Sequence, residues 1–246
     1  MAEKRIWEPD SFKLQTNTVW RFPDRGTWAV HNGGYRGNWS PYIPRNIILR
    51  YSKENDIVLD QFVGSGTTLI EAKLLNRRCI GIDVNRSALS ICTESIKKCT
   101  EGSGKIRLYH GDARSLKFIP DNYVDLIATH PPYADIIKYS VDNPDDLSHL
   151  PYLKFLSEME LVAQESHRVL KQGKICTILI GDMRRHGDVI PLGFNIMQVF
   201  QKVGFKIKEI VIKEQFNCQS TNFWKNSIRE RDFLLLAHEY LFVFRK

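Results

Sequence analysis

Between residues 57 and 213 short apolar runs alternate with longer amphipathic ones, and this alternation restricts the fold more than any single motif does. IVLDQF (57–62), RCIGIDV (78–84), KIRLYHGD (105–112), YVDLIAT (123–129), KICTILIGD (174–182) and FKIKEIVIK (205–213) have the length and β-branched content of strands. TTLIEAKLLN (67–76), SALSICTESIKKC (87–99), PYLKFLSEMELVAQESHRVLK (151–171) and LGFNIMQVFQKV (192–203) carry apolar residues at helical spacing. Gly173 stops the third of these helices and Gly204 the fourth. Strands separated by helices of this length need right-handed crossovers, so the pattern predicts an α/β fold, a mostly parallel sheet with helices on both faces. EYLFVFRK (239–246) follows the strand at 205–213 without an intervening helical run, which predicts an antiparallel pair at the sheet edge.

No repeat or Gly/Ser linker interrupts the chain, so residues 1–246 are expected to form a single domain. Residues 1–45 hold Trp7, Trp20, Trp28 and Trp39, several Gly and Pro, and no period; they read as an irregular arm leading into a helix near Pro44–Tyr51. A hydrophobic share of 43% supports a full core, and a net charge of +7 favours a polyanionic partner through counterion release. The cysteines at 79, 92, 99, 176 and 218 are odd in number and form no C-x-x-C pair, which indicates neither a disulfide framework nor a metal site. MAEKRIWEPD lacks the apolar core of a leader, and no apolar run reaches the roughly 18 residues of a membrane span. A cytoplasmic protein with no membrane partner is expected.

In open α/β sheets ligands sit beyond the carboxyl ends of the strands, which directs attention to the first strand-to-helix turn, Asp60-Gln61-Phe62-Val63-Gly64-Ser65-Gly66-Thr67-Thr68. Gly64 and Gly66 permit close backbone approach, and Thr67 or Thr68 can cap the next helix. A dinucleotide fingerprint would place a third glycine at Leu69, so a pyrophosphate, and with it a nicotinamide oxidoreductase, is disfavoured. Asp83 ends the next strand, 19 residues beyond Gly64, where a carboxylate can accept the hydroxyls of a ribose. A nucleoside cofactor without a diphosphate satisfies both features; a plain tight turn and a helix-capping Asp are the bland alternatives.

The segment IVLDQFVGSGTTLIEAKLLNRRCIGIDVN (57–85) resembles the S-adenosylmethionine-binding half of the DNA amino-methyltransferases, whose loop commonly reads D-P-F-x-G-S-G-T-T; Gln61 replaces the proline. The likeness extends to SPYIPRNIILRYS (40–52), which resembles an element contacting the methionine end of the cofactor, and to RVLKQGKICTILIGD and HEYLFVFRK. It implies a Rossmann-like class I methyltransferase with a seven-stranded sheet and an antiparallel C-terminal strand. It also implies a cofactor site of Asp60, Phe62, Gly64, Ser65, Gly66, Thr67, Thr68, Asp83 and Asp112, with Asp60 near the methionine amine, Asp83 on the ribose and Asp112 on the adenine amine.

By the same resemblance His130-Pro131-Pro132-Tyr133 stands where this family carries D-P-P-Y, N-P-P-Y or S-P-P-Y. The chemistry explains such a turn. An exocyclic base amine is a poor nucleophile because its lone pair is delocalised; acceptors on both N–H bonds draw the nitrogen toward sp3 geometry and stabilise the charge that grows on attack. Here the acceptors would be His130 and the carbonyl of Pro131, held rigid because two prolines fix φ and remove N–H donors. Tyr133 would stack on a base turned out of the duplex. An imidazole accepts only when neutral, so methyl transfer is expected to weaken as pH falls through roughly 6.5. A strand-ending cap is the structural alternative for His130.

The expected activity is therefore methyl transfer from S-adenosylmethionine to an exocyclic amine of double-stranded DNA. Cytosine N4 is preferred over adenine N6 because a neutral first residue resembles the Ser motif more than the Asp motif. An RNA guanine-amine methyltransferase and an idle nucleic-acid-binding relative are the rivals, and a cognate restriction endonuclease is a candidate partner. With 116 residues after His130, target recognition is expected within 184–190, 214–237 and the N-terminal arm rather than in a large separate domain. Arg184, Arg185 and His186, and NFWKNSIRERD (222–232), offer basic and aromatic side chains to a nucleic acid, though solvated basic loops would read the same way.

Overall fold

The structure, a computed structural model, describes residues 5–141, 143–216 and 232–246. Its elements in chain order are β1 (Val19–Trp20), α1 (Tyr42–Tyr51), β2 (Ile57–Asp60), α2 (Thr67–Leu74), β3 (Arg78–Asp83), α3 (Arg86–Lys98), β4 (Ile106–His110), β5 (Val124–Thr129), α4 (Tyr152–Val169), β6 (Leu170–Ile180), β7 (Met183–Arg185), β8 (Asp188–Ile190), α5 (Leu192–Val203), β9 (Lys206–Glu214) and β10 (His238–Arg245). The strands of the main sheet run in the order β1-β9-β10-β6-β5-β2-β3-β4.

Every strand predicted from the alternating pattern is in that sheet. β10 lies antiparallel to both neighbours, β6 and β9, while the other pairings are parallel. The expected antiparallel pair is β9–β10, with β10 on its inner side between β6 and β9; the expected seven strands need correction, because the two-residue β1 adds an eighth beside β9. The inner place of β10 follows from burial: all but the two ends of the β10 run are buried, as for an interior strand, whereas an edge strand would leave one row of backbone groups open. Gly173 also does not stop a helix. α4 ends at Val169 and β6 begins at once, with Gly173 inside the strand at φ +74° where its N–H donates to the Lys246 carbonyl.

Two apolar layers cover the sheet. α4 and α5 bring Phe155, Met159, Val162, Ile196 and Phe200 against Leu59, Ile127, Ile178, Phe242 and Phe244. α1, α2 and α3 bring Ile43, Ile47, Leu69 and Cys92 against Val58, Leu126, Leu179 and Leu241. Because neighbouring side chains on a strand point to opposite faces and both faces are covered, these strands are apolar at consecutive positions where they cross the core: Ile57–Leu59 in β2, Leu126–Ala128 in β5 and Ile178–Ile180 in β6. Among the described residues no helix is long and apolar enough to cross a membrane.

The N-terminal arm is tied down by a buried ionic cluster. The fully buried carboxylate of Glu71 on α2 accepts Trp28 Nε1 at 2.8 Å, His31 Nε2 at 2.7 Å and Arg45 Nη1 at 2.9 Å. The arm is thereby held against α1 and α2, and it reaches the carboxyl ends of β2, where Tyr35 adjoins Gly64, and β5, where Trp39 adjoins His130.

Candidate active site

The carboxyl ends of β2, β3, β4 and β5 face a cleft of about 750 Å³, its solvent-filled mouth included. Its floor is the turn after β2. Gly64 (φ +50°) and Gly66 (φ +93°) both occupy the left-handed region; a Cβ on Gly66 would stand 2.6 Å from Cys92 Sγ and one on Gly64 3.1 Å from the Tyr35 ring. The glycines are thus fixed by packing as well as by φ. Gly66 itself is the N-cap of α2, without a side-chain cap, so neither Thr67 nor Thr68 has the capping role expected of it.

Thr68 instead donates to Asp60. The Asp60 carboxylate is 2% exposed and accepts Thr68 Oγ1 at 2.5 Å, Thr129 Oγ1 at 2.8 Å and the Phe62 amide at 3.1 Å. These donors are all neutral, and no cation among the described residues bonds to it. Burial consequently raises its pKa from 3.8 to about 6, against the pull of the three hydrogen bonds. Asp83 accepts the amides of Gly64 and Asn85, both at 2.9 Å, and burial raises its pKa as well. Asp112 is gripped by Arg114 through Nε and Nη2 at 2.8 and 2.6 Å. Asp60, Asp83, Asp112, Asp145 and Asp146 all line the cleft, which makes its interior acidic.

The tetrapeptide closes the far wall. Thr129, which bonds Asp60, is the last residue of β5, so the glycine turn and His130 are two residues apart through a single carboxylate. His130 stacks on Trp39 (5.7 Å, 23°) and its Nε2 lies 3.0 Å from the Tyr133 hydroxyl. Burial lowers its pKa from 6.5 to about 4, and the nearby Lys213 and Arg25 charges push the same way against the opposing Glu239. The limb expected near pH 6.5 is thereby displaced downward: the ring stays neutral throughout the physiological range.

Of the residues expected at the site, Asp60, Phe62, Gly64, Ser65, Asp83, Asp112, His130 and Pro132 line the cleft, and Gly66, Thr67, Thr68, Pro131 and Tyr133 are not part of its lining. Tyr133, expected to stack on a base, donates its hydroxyl to Glu239 Oε1 at 2.6 Å and packs its ring beside Gly181. Residues 40–52 supply none of the lining. The arm does so instead, through Tyr35, Gly37, Asn38 and Trp39, while Trp28 is buried against Glu71 as a core residue. Gln61, in place of the family's proline, is buried: its Oε1 accepts Ser166 Oγ at 2.9 Å, and among the described residues its Nε2 has no partner. The basic loop at 184–186 is a small hairpin of β7 and β8, with Arg184 over Phe233 and Arg185 paired to Asp135. Much of the recognition segment expected at 214–237 lies outside the described residues.

Glu239 and Lys213 escaped the sequence reading. They face each other across the β9–β10 ladder, with Lys213 Nζ 2.8 Å from Glu239 Oε2. The signal was present but faint: a glutamate that opens an otherwise apolar strand, E-Y-L-F-V-F.

A profile of the DNA methylase family matches residues 2–94 and 124–246. Over 57 residues the chain is 51% identical to the Type II methyltransferase M2.LlaDCHI of Lactococcus lactis subsp. cremoris, covering 23% of this chain and 21% of that protein. Over 123 residues it is 32% identical to a tRNA (guanine(10)-N2)-dimethyltransferase of Methanothermobacter thermautotrophicus, covering 50% of this chain and 34% of the relative. The chain thus matches between a fifth and a third of the length of these curated relatives. A SAM-dependent methyltransferase from Methanosarcina mazei shares the fold, with a TM-score of 0.54 at 17% identity over 81% of this chain and 96% of that one. The profile match takes in both the glycine turn and the tetrapeptide, and the chain belongs to the DNA methylase family, the S-adenosylmethionine-dependent amino-methyltransferases of DNA.

Proposed function

We propose that the chain methylates an exocyclic amine of a base flipped out of duplex DNA, with cytosine N4 as the target. The observation that carries the reading is Asp60. A buried carboxylate hydrogen-bonded only by neutral donors is costly unless a cationic group completes it, and S-adenosylmethionine presents an ammonium at one end and a sulfonium at its centre. The acidic cleft and the glycine cradle fit that molecule. When bound, it supplies an electrophilic methyl group with a neutral thioether as leaving group.

The chain's own residues hold and orient. Asp60 takes the ammonium, Asp83 keeps lone pairs for ribose hydroxyls beside its two amide bonds, and Asp112 keeps one for the adenine amine beside Arg114. His130 accepts one N–H of the target amine and the Pro131 carbonyl the other. Both act as acceptors aimed at a charge that develops during attack, and positioning supplies the rest. A neutral His130 is consistent with the neutral first residue of the cytosine-N4 motif, which is the ground for preferring cytosine over adenine N6.

The tRNA methyltransferase among the relatives favours a second reading, an RNA guanine-amine target within the same site. Labelled methyl donor is offered with duplex DNA of mixed sequence and with folded RNA, and the digested nucleosides are separated. N4-methylcytosine supports the proposal; N6-methyladenine overturns the base, label confined to RNA overturns the substrate, and cofactor binding without any transfer favours the idle relative. His130→Ala is expected to lower incorporation about 10²-fold while cofactor binding is retained.

A further inference from the structure

His130 can accept a proton-bearing amine only through a ring nitrogen that carries no hydrogen, and a neutral imidazole carries one hydrogen on either Nδ1 or Nε2. The hydrogen bonds around Tyr133 decide which. Glu239 is buried at 7% exposure in β10; burial alone would raise its pKa, but the Lys213 charge, the bond from Lys213 and the Tyr133 hydroxyl outweigh it and hold the carboxyl below its usual range. An ionised carboxylate only accepts. The single hydroxyl hydrogen of Tyr133 is therefore committed to Glu239 Oε1, at 2.6 Å.

What remains on the Tyr133 oxygen is a lone pair, and His130 Nε2 lies 3.0 Å from it. A contact of that length between two acceptors would be repulsive, so Nε2 must be the protonated nitrogen and Nδ1 the bare one. Among the described residues nothing donates to Nδ1, and His130 is part of the cleft wall. We infer that Glu239, anchored by Lys213 and acting through the Tyr133 hydroxyl, is a positioning residue that fixes His130 in its Nε2–H tautomer and so presents Nδ1 as the acceptor for the substrate amine. This rests on the proposed function for its last clause, and on the hydrogen-bond directions alone for the tautomer.

The surroundings are built to keep the relay in register. Trp39 stacks on the imidazole. Gly181 leaves room where a Cβ would come 3.1 Å from the Tyr133 ring and 3.5 Å from Glu239 Cγ. Glu239 and Lys213 are direct cross-strand partners, so the backbone ladder itself fixes their spacing.

The test uses a substitution that reverses the direction of the chain of donors. In Glu239→Gln, Lys213 can bond only the amide oxygen, so the amide NH2 donates to Tyr133; the tyrosine hydroxyl then turns to donate to His130 Nε2, and the ring proton moves to Nδ1. Nitrogen NMR of 15N-histidine-labelled full-length protein reads the tautomer directly, since protonated and bare ring nitrogens resonate far apart. Wild type is expected to show Nε2–H and Glu239→Gln to show Nδ1–H, with kcat falling about 10²-fold and the cofactor Kd unchanged within about threefold. Tyr133→Phe, which keeps the ring beside Gly181, is expected to give a mixture of tautomers and an intermediate kcat, and it carries the test if Glu239→Gln does not fold. An Nδ1–H tautomer in wild type, or the same tautomer in wild type and both variants, overturns the inference. A wild-type protein that shows Nε2–H yet methylates no nucleic acid would leave the relay standing and remove the proposed function instead.

Discussion

Replacing Asp60 by Asn should make the protein more stable and less able to bind its cofactor. Free in an unfolded chain the carboxyl titrates at 3.8; in the folded protein burial moves it to about 6. Between those values the folded state holds a proton that the unfolded state has released, so stability declines as pH rises through this window and stays reduced above it. The loss at pH 7.5 amounts to about 3 kcal/mol, from about 1.4 kcal/mol for each tenfold change in proton affinity. An Asn side chain removes that loss at no cost in volume: its oxygen still accepts from Thr129 and the Phe62 amide, and its NH2 meets the Thr68 hydroxyl, which can rotate to accept. Allowing about 1 kcal/mol for that rearranged bond, a gain of 2–3 kcal/mol is expected, a rise of about 4–12 °C in Tm for a chain of this size. Urea denaturation of both proteins from pH 4 to pH 8, with and without S-adenosylmethionine, measures all of this. The gain should shrink toward pH 4, and the stabilisation that added cofactor gives wild type should vanish in the variant. Equal or lower stability of Asp60→Asn at pH 7.5, or a gain independent of pH, would refute the claim that this carboxylate is buried without compensation in order to receive a cation.

The same carboxyl predicts the pH profile. Cofactor binding should weaken as pH falls through about 6, where Asp60 takes up its proton, whereas kcat at saturating cofactor should stay level until His130 protonates near 4; a kcat limb near pH 6.5 that disappears in His130→Asn would contradict the second part. Glu71→Gln should destabilise the protein by about 3–5 kcal/mol, because Arg45 is left buried with its main partner neutralised while Trp28 and His31 lose part of their acceptor. The urea midpoint measures this, and a loss under about 1 kcal/mol would show that the arm is held by its aromatic packing alone.

How far the sequence could be read follows from what each feature leaves on a single stretch of chain. β2 through β6 and the helices between them were legible because each carries its own apolar pattern, although the end of α4 was misplaced for want of a stop signal at Val169, and the glycine turn was legible because the demands on it are local: positive φ at Gly64 and Gly66, and a carboxylate at each neighbouring strand end. β1, of two residues, and the β7–β8 hairpin are too short to show any period, and the order of strands was obscured at β10 because an alternating edge strand and an interior strand with one buried glutamate look alike in a list of letters. The site failed to read wherever it is made by distant partners. Trp39 belongs to an arm without period, where an aromatic can line a pocket but more often plugs a core, yet it stacks on His130; Glu239 is 106 positions from the tyrosine whose hydroxyl it takes. Tyr133 shows the consequence most sharply. Its place beside two prolines made it a candidate for contact with a base, and nothing within the tetrapeptide could reveal that a carboxylate on the inserted antiparallel strand claims its hydroxyl. The position of β10 between β6 and β9 is what brings that carboxylate behind the cleft wall, so the topology that the sequence obscured is also what determines the proton on His130.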